Sequence, residues 1–139
     1  MIGLRDEYIL CNNLRERAYA PYSNYTVGAT LVCKNGKKYT GCNVENHGIQ
    51  GICAERTAFV KAISEGEREF SHIVIMGGKK GESAEKCTPC GYCRQFMSEF
   101  VGNDFKIYNI HHQNVDEYTI EDLLPYSFEL KEDTDEDDV

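Results

Sequence analysis

The stretch GICAERTAFVKAISEG, residues 51–66, decides how the rest of the chain is read. Ala54, Ala58 and Ala62, with Phe59 and Ile63, recur at steps of three and four, which gives a helix one wide apolar face. Gly66 stands where a C-cap glycine belongs, so a largely buried helix is predicted. Its first turn nevertheless carries a thiol, a carboxylate and a guanidinium: Cys53, Glu55 and Arg56. Reactive groups gathered at the start of a buried helix point to a site as well as a core.

Upstream, Leu4, Tyr8, Cys11, Leu14 and Ala18 share one helical face, which predicts a first helix ending near Pro21. TVGATLVCKNGKKYTGCNV then gives two β-leaning runs, at about 26–34 and 37–43. Asn35-Gly36 between them suits a two-residue hairpin turn. Downstream, SHIVIMGG reads as a buried strand and KKGESAEK as a loop. After Pro89, the spacing of Cys90, Cys93, Phe96, Met97 and Phe100 predicts a helix with Gly102 behind it. FKIYNI and EYTI read as strands, and TIEDLLP as a short helix capped by Thr119 and ended by Pro125. This order predicts a three-layer α/β domain over 1–130, with one mixed sheet of about five strands flanked by helices.

At 139 residues the chain suits one domain. No apolar run approaches the roughly 18 residues of a membrane helix, and the N-terminus lacks the basic and apolar blocks of a secretory signal, so a cytoplasmic location is expected. Of the formal net charge of −8, six charges come from Glu132, Asp133, Asp135, Glu136, Asp137 and Asp138, which leaves −2 for the rest. Residues 131–139 therefore read as an acidic, disordered tail. A near-neutral body without a Lys/Arg stripe argues against a nucleic-acid partner.

The seven cysteines are read by their spacing. CTPCGYC, residues 87–93, holds two overlapping C-x-x-C units, which lets thiolates converge on one metal ion. Two readings follow: a structural zinc closed by four thiolates, or a catalytic zinc with three protein ligands and an open position. A closed site has no use for a carboxylate two residues from a ligand, whereas a catalytic site needs a base within reach of a metal-activated water. Glu55 beside Cys53 favours the second, and C-A-E followed by P-C-x-x-C is the zinc deaminase signature with Cys for the usual His. Three thiolates would leave the site with a net negative charge. Arg56, three residues after Cys53, is placed to donate to the sulfurs and offset it.

GCNVENHGIQGICAERTAFVKAISEG, PCGYCRQFM and LLPYSF together resemble the small homotetrameric cytidine deaminases of pyrimidine salvage, over about 19–128. The resemblance implies that Cys53, Cys90 and Cys93 bind Zn²⁺ and that Glu55 is the general acid/base. It implies further that Asn43 and Glu45 hold the ribose hydroxyls, and that Ala54 and Tyr25 contact the substrate. Phe128 is implied to reach the pocket of a neighbouring subunit, so that active sites are shared. The expected substrates are cytidine and deoxycytidine.

One departure stands out. HGIQGI, residues 47–52, is one residue shorter than the family's pattern and lacks its aromatic, which leaves room for 4-substituted cytosine nucleosides; a related superfamily deaminase acting on such nucleosides or on blasticidin-type compounds is the alternative within the same chemistry. An alternative of another kind is a zinc-stapled binding module without catalysis. Cys87 is expected to be a bystander, Cys11, Cys33 and Cys42 buried small hydrophobes, and His47 a surface residue.

Overall fold

The computed structural model describes residues 2–130. After a 3₁₀ turn at Ile2–Leu4, the elements in chain order are α1 (Arg5–Arg15), β1 (Tyr25–Cys33), β2 (Lys38–Cys42), α2 (Ala54–Ser64), β3 (Phe70–Lys79), α3 (Gly91–Ser98), β4 (Lys106–His111), β5 (Asn114–Tyr118) and α4 (Ile120–Leu123). The expected acidic tail, 131–139, lies outside the described residues. The strands form one sheet in the order β2-β1-β3-β4-β5. β3 and β4 run parallel and are linked through α3, while the other neighbours pair antiparallel. This is the mixed five-stranded α/β sheet predicted from the element order.

Alternation along the central strands sets the layers. Ile73 and Ile75 of β3 point to one face, where they meet Phe59 and Ala62 of α2, Met97 of α3 and Leu123 of α4. Val74 and Met76 point to the other, where they meet Cys11 of α1 and Ile110 of β4. A strand buried on both faces reads as an unbroken apolar run, which is why SHIVIMGG shows no polar alternation.

Glycine sets the depth of α2. A Cβ on Gly41 of β2 would lie 2.4 Å from the carbonyl oxygen of Ala54 and 2.7 Å from the backbone nitrogen of Ala58. The first turns of α2 thus rest directly on the sheet, and the small face of Ala54, Ala58 and Ala62, all fully buried, makes that approach sterically feasible. Thr57 adds a tie, its hydroxyl donating to the carbonyls of Cys53 (3.0 Å) and Cys42 (3.3 Å). At the far end Gly66 takes φ 101°, with Gly66 N–H on Ile63 O and Glu67 N–H on Ala62 O, the paired bonds of a Schellman ending.

Three local expectations are corrected. Asn35-Gly36 does not form a two-residue turn: among the two only Gly36 takes a positive φ (91°), and Cys33 N–H bonds Lys37 O across a longer loop. Asn35 is held elsewhere, accepting from Lys37 N–H and donating to Glu67. The two-residue turn instead joins β4 to β5 through His112 and Gln113, both at positive φ (47° and 68°). Next, α1 ends at Arg15 rather than near Pro21, because Arg17 and Ala18 N–H bond back only three residues and Tyr19 N–H then turns to Asn43 O; the buried Arg15 side chain donates to Thr26 and to Lys79 O. Finally, α3 stops at Ser98, and Gly102 is not in the left-handed conformation of a cap.

Candidate active site

The starts of α2 and α3 converge. Cys53 is the N-cap of α2 (φ −77°, ψ 158°) and Cys90 the N-cap of α3 (φ −67°, ψ 167°). At an N-cap the backbone carbonyl enters the helix while the side chain stays outside it. Cys53 O and Cys90 O accept from Thr57 and Arg94 N–H, both at 3.0 Å, and neither thiol makes a capping bond. The sulfurs are therefore free to face each other, 3.7 Å apart. Cys93, on the first turn of α3 and fully buried, completes a cluster whose sulfurs all lie within 4.8 Å of one another.

That arrangement fits zinc. Tetrahedral Zn–S bonds of about 2.3 Å place sulfurs about 3.8 Å apart. Without a cation the cluster cannot carry three negative charges. The neighbouring Cys93 thiol first, then Cys90 and the Arg56 charge, draw the Cys53 thiol down to about 5 against the opposing effect of burial, while Cys93 is pushed up. Among the described residues this is the one group of three His, Cys, Asp or Glu side chains close enough to hold an ion.

Glu55 is 5% exposed, and burial raises its carboxyl to about 7, where gain and loss of a proton are equally accessible at neutral pH. It lines a cleft of about 270 Å³ together with Val27, Asn43, Glu45, Ala54, Cys53, Cys90, Thr88 and Cys87. The cleft thus holds two of the three cysteines, Cys53 and Cys90, and the carboxyl in one open recess.

The other expected site residues divide. Asn43 lines the cleft, with its amide holding β1: Oδ1 accepts from Val27 N–H at 2.8 Å and Nδ2 donates to Tyr25 O at 2.9 Å. The Glu45 carboxylate accepts from Tyr22 N–H (3.0 Å), Ser23 N–H (3.2 Å) and the Ser23 hydroxyl, which together hold its pKa below the usual carboxylate range. Arg56 donates through Nη2 to Gly51 O at 3.3 Å. Tyr25 and Phe128 do not line the cleft. The Tyr25 hydroxyl reaches Glu85 at 3.3 Å, and Phe128 is exposed, its carbonyl accepting from Gln95 at 3.0 Å.

Cys87 stands outside the sulfur cluster, as expected, yet its thiol is raised to about 11 by burial and it forms part of the cleft wall. Cys11 and Cys33 are buried, and Cys42 is half-buried. His47 is exposed and meets the Tyr22 hydroxyl at 2.9 Å.

Sequence reading missed the side chains that fasten the second thiol platform. Arg94 donates to Pro89 O (2.7 Å), Thr88 Oγ1 (3.1 Å) and Leu123 O (2.8 Å), which binds the turn before Cys90 to the end of α4. Asn109, 1% exposed on β4, accepts from Cys87 N–H and donates to Ile75 O. A polar residue inside the apolar pattern KIYNIH was the available signal for Asn109, since a buried amide needs partners.

Residues 5–108 match the family model described as the cytidine and deoxycytidylate deaminase zinc-binding region. A cytidine deaminase of Sporosarcina psychrophila is 41% identical over 116 residues, covering 82% of each chain. One from Halalkalibacterium halodurans is 43% identical over 117 residues, covering 82% of this chain and 85% of its own. The crystal structure of cytidine deaminase from Burkholderia pseudomallei superposes with a TM-score of 0.78 at 39% identity, covering 89% of this chain and 98% of that one.

Proposed function

The chain belongs to the cytidine and deoxycytidylate deaminase family, and on that premise we propose that it hydrolyses the 4-amino group of free cytidine and deoxycytidine, giving uridine or deoxyuridine and ammonia. The observation that carries this reading is the buried Glu55 carboxyl on the wall of an open cleft that Cys53 and Cys90 also line, with Cys93 buried behind them in the same sulfur cluster.

Cys53, Cys90 and Cys93 would hold the zinc. Bound zinc supplies Lewis acidity that makes a water acidic near neutral pH. Glu55 takes the proton as the water oxygen bonds to carbon 4 of the base, and delivers it to the adjacent ring nitrogen. It then carries the second water proton to the amino group, so that the carbon–nitrogen bond breaks, ammonia leaves and the carboxylate is restored. A carboxyl held near 7 suits both directions of transfer. Ala54, packed at the start of α2, orients the base. Asn43 and Glu45 hold the ribose hydroxyls. Their support is their place on the cleft wall, with Glu45 fixed as an anion by the 22–23 backbone. Arg56 offsets the charge of the sulfurs.

Self-association into a homotetramer belongs to the same proposal, with Phe128 completing a neighbouring site. It is supported by the apolar side chains that stand exposed, Tyr126, Phe128 and Leu130 at the end of the described chain and Ile49 in the loop before α2. No helix among the described residues is long and apolar enough to cross a membrane. The seven free thiols suit the reducing cytoplasm, where we place the activity.

The test is to give the purified protein cytidine, deoxycytidine and a series of 4-substituted cytosine nucleosides, following ultraviolet absorbance and ammonia release. Cytidine and deoxycytidine are expected to turn over. Turnover confined to the substituted series would move the assignment to that class. Zinc-loaded protein that releases ammonia from none of them would sink the proposal and favour a binding module.

A further inference from the structure

Arg56 and Tyr92 join the two helices that deliver the sulfurs. Arg56 lies on the first turn of α2, three residues after Cys53, and Tyr92 lies on α3 between Cys90 and Cys93. The face of the Tyr92 ring covers the guanidinium, with the central carbon 4.2 Å from the ring centroid. Among the described residues Arg56 pairs with no carboxylate. Its Nη2 has the Gly51 carbonyl, and its Nε is buried with no partner of its own. A cation in this position keeps its place only if something other than an ion pair holds it. Two groups are at hand. The first is the sulfur cluster, since Cys53 lies one helical turn before Arg56 at the start of α2. The second is the Tyr92 ring, which offers the guanidinium its negative face.

Tyr92 is itself 68% exposed, so it contributes little to the core. What it covers is the solvent side of the guanidinium. An arginine free to rotate would exchange the sulfurs for water, and three thiolates around a divalent ion would lose the positive charge that balances them. We propose that Tyr92 is a positioning residue whose ring clamps Arg56 against the sulfurs of the metal site, so that the site retains its ion. The clamp rests on the reading of Cys53, Cys90 and Cys93 as zinc ligands.

The experiment times zinc release to an excess of chromogenic chelator from wild type, Tyr92→Phe and Tyr92→Leu, each alone and combined with Arg56→Gln. Phenylalanine keeps the ring face and leucine keeps only apolar bulk. Wild type and Tyr92→Phe are expected to release within about twofold of one another, and Tyr92→Leu roughly fivefold faster, the size of a partly exposed cation–π contact. With Arg56→Gln present the difference between ring and leucine should vanish. Leucine matching phenylalanine overturns the clamp, as does a leucine effect that survives the loss of Arg56. Should the Arg56→Gln proteins fail to hold zinc at all, the comparison of phenylalanine with leucine decides alone. Wild type that neither contains nor takes up zinc overturns the underlying metal assignment instead, before any variant is compared.

Discussion

Two helices of this chain begin on a cysteine and one begins on a threonine. At α4 the Thr119 hydroxyl accepts from Asp122 N–H at 3.2 Å while the Asp122 carboxylate accepts from Thr119 N–H at 2.9 Å, a reciprocal capping box that satisfies the helix's own first turn. At α2 and α3 the cap side chains make no such bond. A missing cap costs a helix about 1 kcal/mol. α2 and α3 are held instead from outside, by the bare contact at Gly41 and the hydroxyl of Thr57 in one case and by Arg94 in the other. Where local chemistry serves folding, it closes on itself. Where it serves the site, it is left open and the tertiary structure makes up the difference.

The sharpest way to break this comparison is Cys53→Ser. Serine is a good cap and a poor zinc ligand, so zinc content and cytidine turnover should fall by a factor of about 10³ or more. The metal-free protein, by contrast, should melt as if stabilised by about 1 kcal/mol. A serine variant that loses stability without metal would show that the open cap was not a cost.

Glu55→Gln separates chemistry from folding at the same helix start. Turnover should drop by about 10² to 10⁴ with zinc retained. In metal-free protein the folded carboxyl titrates at about 7 against 4.5 for the unconstrained group, so the folded state favours the proton. Stability is therefore full below pH 4.5, is lost as pH rises to about 7, and is lost no further above that. The loss is about 3 kcal/mol, and the glutamine variant should show none of it in melts from pH 4 to pH 8.

Gly41→Ala sharpens the comparison from the sheet side. The added methyl must displace Ala54 and Ala58, which should cost about 2 kcal/mol in a denaturant titration and also weaken zinc binding, because Cys53 moves with them. Thr119→Ala should be the mildest, a loss of about 1 kcal/mol with turnover intact, measured by melting and by the cytidine assay.

These residues also mark what could be read in advance. The helix over Ala54–Ser64 was legible because its small face, its capping glycine and its reactive first turn all lie within sixteen consecutive residues. The sulfur cluster was legible because C-x-x-C spacing is itself a geometric statement. The end of α1 was not, since it depends on Tyr19 pairing with Asn43 and Val44, far along the chain. The turns reversed expectation for a similar reason. Asn35 was engaged by Glu67, while pairing of β4 with β5 forced His112 and Gln113 into a conformation that neither residue favours by itself. The Arg56–Tyr92 contact joins two helices and has no signature in either.

α3 has a further attachment. Arg94 grips Leu123 O and its neighbour Gln95 grips Phe128 O, so consecutive side chains of the helix carrying Cys93 hold both ends of the segment from 123 to 128. Tension applied just past Phe128, by a surface tether or a bulky insertion, travels along that segment to the helix that carries Cys93. For immobilising this enzyme, the exposed side of α1, on the opposite face of the sheet, is the gentler handle.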